Sequence, residues 1–144
     1  MKILISGSSG LIGKSLINFL ESKKHEIFIL TRNIKENSKN SIFWDPYKNI
    51  IDLNKIENFD VFINLNGSSI AKIMMLGRIK FGSKKSIYNS RIISTKFLRN
   101  CIEKLSTPPK LYITASACGY YGNRGNSVVE ENSKPGLGFL FDTA

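Results

Sequence analysis

Lys2-Ile3-Leu4-Ile5-Ser6-Gly7-Ser8-Ser9-Gly10-Leu11-Ile12-Gly13-Lys14 is the stretch that decides the fold class. No polar residue alternates within Ile3-Leu4-Ile5, so Lys2 to Ser6 reads as a strand buried on both faces, of the kind found inside parallel sheets. A glycine loop follows at once. Beyond it Leu11, Ile12, Leu16, Ile17 and Leu20 recur at helical spacing, which predicts an amphipathic helix over Lys14 to Ser22 with one face on the sheet. A glycine triplet between a strand and a helix is informative where a lone triplet is not. The first glycine permits a tight turn, the middle one lets a pyrophosphate approach the backbone, and the third lets helix and strand pack closely. The helix start adds unpaired N–H groups and the positive end of its dipole, a ready site for an anion. Gly7, Gly10, Leu11, Ile12 and Gly13 are therefore the candidate binding residues for a dinucleotide.

Working outward, Glu26 to Thr31 reads as a second strand, with His25 in the turn before it rather than placed as a general base. Residues 33 to 58 are polar and interrupted by Asp45-Pro46. They read as irregular loop, with a short strand around Ile42-Phe43-Trp44 and a helical turn near Leu53 to Glu57. Asp60 to Leu65 is a further strand, closed by Asn66-Gly67. A helix is expected after Ser68, broken near Gly77 and Gly82, and then a long one over Lys84 to Leu105. The apolar set Ile87, Ile92, Phe97, Leu98, Cys101, Ile102 and Leu105 supports the long helix, and Thr107-Pro108-Pro109 stops it. Leu111 to Ser116 reads as strand and everything beyond Gly119 as loop. Strands alternating with helices predict an α/β fold, a Rossmann-type doubly wound parallel sheet covered on both faces.

With 144 residues the chain makes about one domain. Its 42% hydrophobic content is enough for an ordinary core. No apolar run approaches the roughly eighteen residues of a membrane span, and the start lacks the longer apolar stretch of a signal peptide, so a cytoplasmic location is expected. Cys101 and Cys118 cannot build a disulfide framework, and both read as reduced cysteines packed as small hydrophobes. The net charge of +10 raises the question of a polyanion partner. The lysines are scattered rather than clustered, and 16 Lys, 20 Ile and 14 Asn point to A/T-rich codons, so no nucleic-acid partner is expected.

The spacing G-x-x-G-x-x-G, with Asn64-Leu65-Asn66-Gly67 at the end of a main strand and Ser116 through Gly122 after the last, resembles the extended short-chain dehydrogenase/reductase superfamily. A narrower resemblance is carried by Thr31-Arg32-Asn33, Trp44-Asp45-Pro46, Ser68-Ser69-Ile70-Ala71, Arg78, Ser90-Arg91, Thr95, Pro108-Pro109-Lys110, Ser116-Ala117, Gly119-Tyr120-Tyr121-Gly122 and Arg124-Gly125. These look like the NAD(P)-dependent epimerase-like family often labelled sugar nucleotide epimerase or cell-division inhibitor homologue, from Met1 to about Leu140. The resemblance implies an NAD(P)-binding domain over residues 1–144, with Leu65, Asn66 and Gly67 passing under the adenine end.

An acid at the end of the second strand would favour NAD by accepting from ribose hydroxyls, whereas an arginine there can pair with the extra phosphate of NADP. Arg32 stands at that place, with no acid nearer than Glu36, so NADP is the expected cofactor and NAD the alternative. Catalysis in the superfamily uses a tyrosine and a lysine four residues later, with a serine on the preceding strand. The residues four beyond each tyrosine are Ile51, Ile92, Ser116, Arg124 and Gly125, none of them lysine. Ser116 takes the serine's place if one residue is inserted before Tyr121, and Ala117 takes it otherwise. Family members continue for roughly as many residues again, through the substrate-binding region. The sequence thus predicts a truncated sheet, a cofactor half that turns over no sugar nucleotide by itself. The readings that follow are an epimerase or reductase acting on a sugar-nucleotide-like substrate when full length, a dinucleotide-binding module without catalysis, or an inactive remnant.

Overall fold

The computed structural model describes residues 1–33, 39–68 and 81–144. In chain order these form β1 (Lys2–Ser6), α1 (Leu11–Ser22), β2 (Glu26–Thr31), β3 (Ser41–Asp45), β4 (Ile50–Ile51), a 3-10 turn (Leu53–Ile56), β5 (Val61–Asn64), α2 (Phe81–Ile102), β6 (Leu111–Thr114), a second 3-10 turn (Cys118–Tyr121) and α3 (Phe139–Thr143). The helix expected directly after Ser68 falls on residues 69–80, outside the described residues.

The six strands form one sheet in the order β4-β3-β2-β1-β5-β6. The chain steps outward from β1 to β3, then returns to the other flank of β1 with β5 and β6. That reversal is the switch of a doubly wound Rossmann-type sheet, whose ligands bind beyond the carboxyl ends of the strands flanking it. β1, β2, β3, β5 and β6 are parallel, as expected. β4 is the exception, running antiparallel to β3 with Ile51 opposite Trp44. Asp45 causes it: its Oδ1 accepts from the N–H groups of Tyr47 and Lys48 at 3.0 and 3.3 Å, an Asx turn that sends the chain back along the strand it has just left.

The side-chain alternation of β1 divides the core. Ile3 and Ile5 join Ile27, Val61 and Ile63 on one face, against Leu16, Ile17 and Leu20 of α1. Leu4 joins Leu30, Ile42, Trp44 and Phe62 on the other, against Leu98 and Cys101 of α2. α1 begins at Leu11, three residues earlier than expected, because a glycine in the first turn costs little where no intrahelical N–H bond is yet required. α2 ends at Ile102 rather than Leu105. Its last residues tighten, with the N–H groups of Lys104 and Leu105 donating three residues back, and the Glu57 carboxylate accepts from Ser106 and Thr107 at 2.8 and 2.9 Å.

By contacts the described residues fall into two compact units, Met1–Gly67 with Ile93–Thr114, and Ser68–Ile92 with Ala115–Ala144. All six strands lie in the first. In the second, the region beyond Gly119 is not all loop as expected: α3 forms there, with Phe141 5.5 Å from the Tyr120 ring. A five-residue helix is too short to show a period, and packing rather than pattern makes it. Cys101 is buried as expected, whereas Cys118 is exposed and so is not a core residue.

At the amino ends of the strands Asp60 ties three elements together. Its Oδ2 accepts from the Lys2 N–H at 2.8 Å, and Lys110 Nζ lies 3.7 Å from Oδ1. The Lys2 N–H holds the Asp60 carboxyl below its ordinary range; desolvation opposes this, and Lys110 adds to the lowering. A depressed folded pKa contributes stability that is present above the unfolded value, about 3.9, and is lost as pH falls through the folded one. Asp60→Asn should therefore flatten the loss of stability as pH falls below about 4, read as urea midpoints along the acid limb. An unchanged acid limb would refute the assignment.

Candidate functional site

Gly7 follows the last residue of β1 with φ +76°, a conformation L side chains rarely adopt, and a Cβ there would stand 2.6 Å from the Leu65 carbonyl oxygen. The Gly10 N–H donates to the Gly7 carbonyl at 3.1 Å and closes the turn. Gly10 is the N-cap of α1, with no side-chain cap and no acid in the first turn. Leu11 and Ile12 start the helix with their side chains exposed. Gly13 is where α1 comes closest to the turn: a Cβ would lie 2.9 Å from the Ser8 Cα. The result is a helix start with no side-chain cap and no acid in its first turn among the described residues, an arrangement suited to a phosphate or diphosphate.

Beside this turn a cleft of about 310 Å³ opens at the carboxyl ends of the strands, lined by Gly7, Ser8, Ser9, Leu30, Thr31, Arg32, Asn33, Trp44 and Asn66. Of the residues expected to hold a cofactor, Gly7, Arg32 and Asn66 line it, and Gly10, Leu11, Ile12 and Gly13 build the helix start next to it. Leu65 lies against Gly7, and Gly67 is exposed. Glu36 lies outside the described residues. Among the described residues none that lines it is acidic, and Arg32 is the one cation. Sequence reasoning did not assign Ser8, Ser9, Leu30, Thr31, Asn33 or Trp44 to it. The serines sit inside the quoted glycine motif, but Trp44 reaches the cleft only because β3 pairs with β2, which no local pattern encodes.

Under the cleft lies a buried polar group that sequence reasoning also missed. Ser6 Oγ donates to Asn64 Oδ1 at 2.7 Å, and Asn64 Nδ2 donates to Thr95 Oγ1 at 3.0 Å and to the Tyr112 hydroxyl at 3.3 Å. Oδ1 also accepts from the Asn66 N–H at 3.4 Å. Ser6 and Asn64 are 0% and 2% exposed, so from a buried position Asn64 joins β1 to half-buried partners on α2, β6 and the loop carrying Asn66. Burial pushes the Tyr112 phenol up from its usual pKa, with the Asn64 and Thr95 hydrogen bonds opposing.

The second unit holds Ser116. It is exposed, and its Oγ donates to the Ala144 carbonyl at 3.4 Å. A wider cavity of about 660 Å³ is lined there by Cys118, Tyr121, Arg124, Val129, Leu137 and Phe139 among others. Arg124 donates to the carbonyls of Tyr121, Lys134 and Pro135 at 3.0, 2.8 and 3.1 Å, so it clasps the loop it belongs to. Among the described residues no cluster of His, Cys, Asp or Glu could hold a metal ion, and no helix is long and apolar enough to cross a membrane.

Comparison with known proteins agrees with this architecture. The human epimerase family protein SDR39U1, solved with NADPH, superposes with TM-score 0.82 over 99% of this chain and 46% of its own, at 25% identity. A nucleoside-diphosphate sugar epimerase from Corynebacterium glutamicum superposes with TM-score 0.77 over 99% of this chain and 28% of its own, at 30% identity. An epimerase family protein of Mycobacterium tuberculosis is 35% identical over 138 residues, 96% of this chain and 44% of that relative. The chain thus spans less than half the length of the relatives it matches. The model of the NAD dependent epimerase/dehydratase family matches residues 3–136. Sheet order, glycine turn and family match agree, and the chain belongs to the NAD dependent epimerase/dehydratase family.

Proposed function

We propose that residues 1–144 form the NADP-binding part of an epimerase or reductase whose substrate is a sugar nucleotide or a close relative, working in the cytoplasm, where its two free thiols stay reduced. The observation that carries the reading is the cleft itself: it is lined by the glycine turn and by Arg32, an uncapped helix start lies beside it, and no carboxylate lines it among the described residues. In this reading the amides of Gly10, Leu11, Ile12 and Gly13 meet the diphosphate, Arg32 pairs with the ribose phosphate, and Leu65, Asn66 and Gly67 pass under the adenine end. Human SDR39U1, solved with NADPH, supports the choice of NADP, and the Corynebacterium nucleoside-diphosphate sugar epimerase supports the substrate class. When bound, the nicotinamide would supply hydride transfer, and Ser116 is the residue proposed to hold the substrate oxygen.

Calorimetric titration tests the cofactor. NADPH should bind more tightly than NADH, and Arg32→Glu should lower that preference by about tenfold or more, since a charge-assisted hydrogen bond to phosphate contributes about 1.5 to 3 kcal/mol. An unchanged NADPH to NADH ratio would show that Arg32 is merely an exposed cation after a strand. A second reading, a dinucleotide-binding module without turnover, is favoured by the absence of lysine four residues after any tyrosine. NADPH binding with no oxidation in the presence of sugar nucleotides would support it.

A further inference from the structure

We infer that Thr95, which lies outside the cleft on α2, is a positioning residue for the turn that carries Asn66, an assignment that rests on the dinucleotide reading above. It acts through Asn64. The two ends of that buried carboxamide face different chemistry. On one side stand two donors, the Ser6 hydroxyl at 2.7 Å and the Asn66 N–H at 3.4 Å, and both need the oxygen. On the other side the two Nδ2 protons need acceptors, and Thr95 Oγ1 at 3.0 Å and the Tyr112 hydroxyl at 3.3 Å supply them. All four hydrogen-bonding positions of the amide are filled, so it is held in one orientation. Turned over, it would take the acceptor away from the Ser6 proton and set its own N–H against that of Asn66.

Thr95 makes the shorter of the two bonds to Nδ2, and the core fixes its place. Leu98, one turn further along α2, is buried in the cluster that holds Leu4 and Trp44. A valine at position 95 would fill the same space at no greater cost to the helix, so the hydroxyl is the part of Thr95 with a task. The far end of this chain of hydrogen bonds reaches the ligand site. Asn66 lines the cleft, and its backbone nitrogen would lie 3.1 Å from a Cβ at Gly7, so it abuts the glycine turn. Freeing the Asn64 carboxamide releases the Asn66 N–H, and the Asn66 turn then shifts against Gly7. Thr95 thus sets one wall of the cleft from two hydrogen bonds away, without touching what the cleft holds.

Two variants separate positioning from packing. Thr95→Val keeps the volume and loses the acceptor, whereas Thr95→Ser loses the methyl and keeps the acceptor. In calorimetric titrations of the intact chain with NADPH, Thr95→Val should bind about threefold to tenfold more weakly and Thr95→Ser within about twofold of the parent. Tyr112→Phe removes the other acceptor from a different element and should weaken NADPH by a comparable factor. In the ligand-free protein, the Asn66 amide proton, followed by nuclear magnetic resonance, should exchange with solvent faster in Thr95→Val than in the parent or in Thr95→Ser. The reverse order, with the valine variant at parental affinity and the serine variant weakened, would make Thr95 a packing residue and overturn the assignment. Equal NADPH affinity and equal Asn66 exchange in every variant would overturn it too, and both results leave the dinucleotide reading standing. A parent chain that binds no NADPH overturns both.

Discussion

Gly7→Ala is expected to lower the thermal midpoint by about 10 °C and to abolish measurable NADPH binding. Two costs add at this position. A residue with a Cβ at φ +76° is strained by about 1 to 2 kcal/mol, and that Cβ would stand 2.6 Å from the Leu65 carbonyl oxygen, where backbone cannot give way without moving β5. Forcing the extra carbon into packed surroundings costs a further 1 to 3 kcal/mol or so. Gly10→Ala separates the fold from the ligand. Gly10 has φ −73°, and the nearest atom to an added Cβ is the Gly7 carbonyl at 3.4 Å, an ordinary contact. That variant should melt within about 2 °C of the parent, yet bind NADPH about tenfold or more weakly, because its methyl occupies the approach of the diphosphate. Wild-type affinity in Gly10→Ala would sink the assignment of the turn to a phosphate.

The turn was legible because its chemistry is local. A strand, three glycines and a helix lie within the first 22 residues, and each glycine's task follows from its place among them. The two faces of β1 were legible for the same reason, since Ile3 and Ile5 must point opposite to Leu4. What could not be read depends on pairing between distant segments. β4 is two residues long and exists because Asp45 turns the chain back on itself. Trp44 belongs to the cleft only through the β2–β3 register, and Thr95 and Tyr112 meet Asn64 only once α2 and β6 are in place. A buried serine or asparagine also carries no pattern of its own. The sequence places Asn64 and Leu65 at the end of a strand and Asn66-Gly67 in the turn that closes it, but not which of the two asparagines is core and which is cleft; the fold makes Asn64 core and Asn66 cleft.

Asn64→Leu should therefore cost about 3 kcal/mol and weaken NADPH binding with it. The replacement has the same number of side-chain heavy atoms but strands the donor of Ser6 Oγ and removes a partner from Thr95, Tyr112 and the Asn66 N–H. A stranded buried group costs about 1 to 3 kcal/mol, and the Thr95 and Tyr112 hydroxyls can still satisfy each other, which keeps the total near the cost of one or two. Binding falls because Asn64 sets the height of Gly7, through Ser6, against that of Asn66. Urea unfolding and calorimetry on the same sample measure both effects. Asn64→Asp tests the burial from another side. A carboxylate there is desolvated, so its folded pKa lies above the unfolded value of about 3.9, and the folded state holds its proton longer. The variant's stability should then fall as pH rises from about 4 towards neutrality, while Asn64→Leu shows no such slope. A flat profile in Asn64→Asp would mean that water reaches this site, and the polar group under the cleft would lose its claim to fix the two walls.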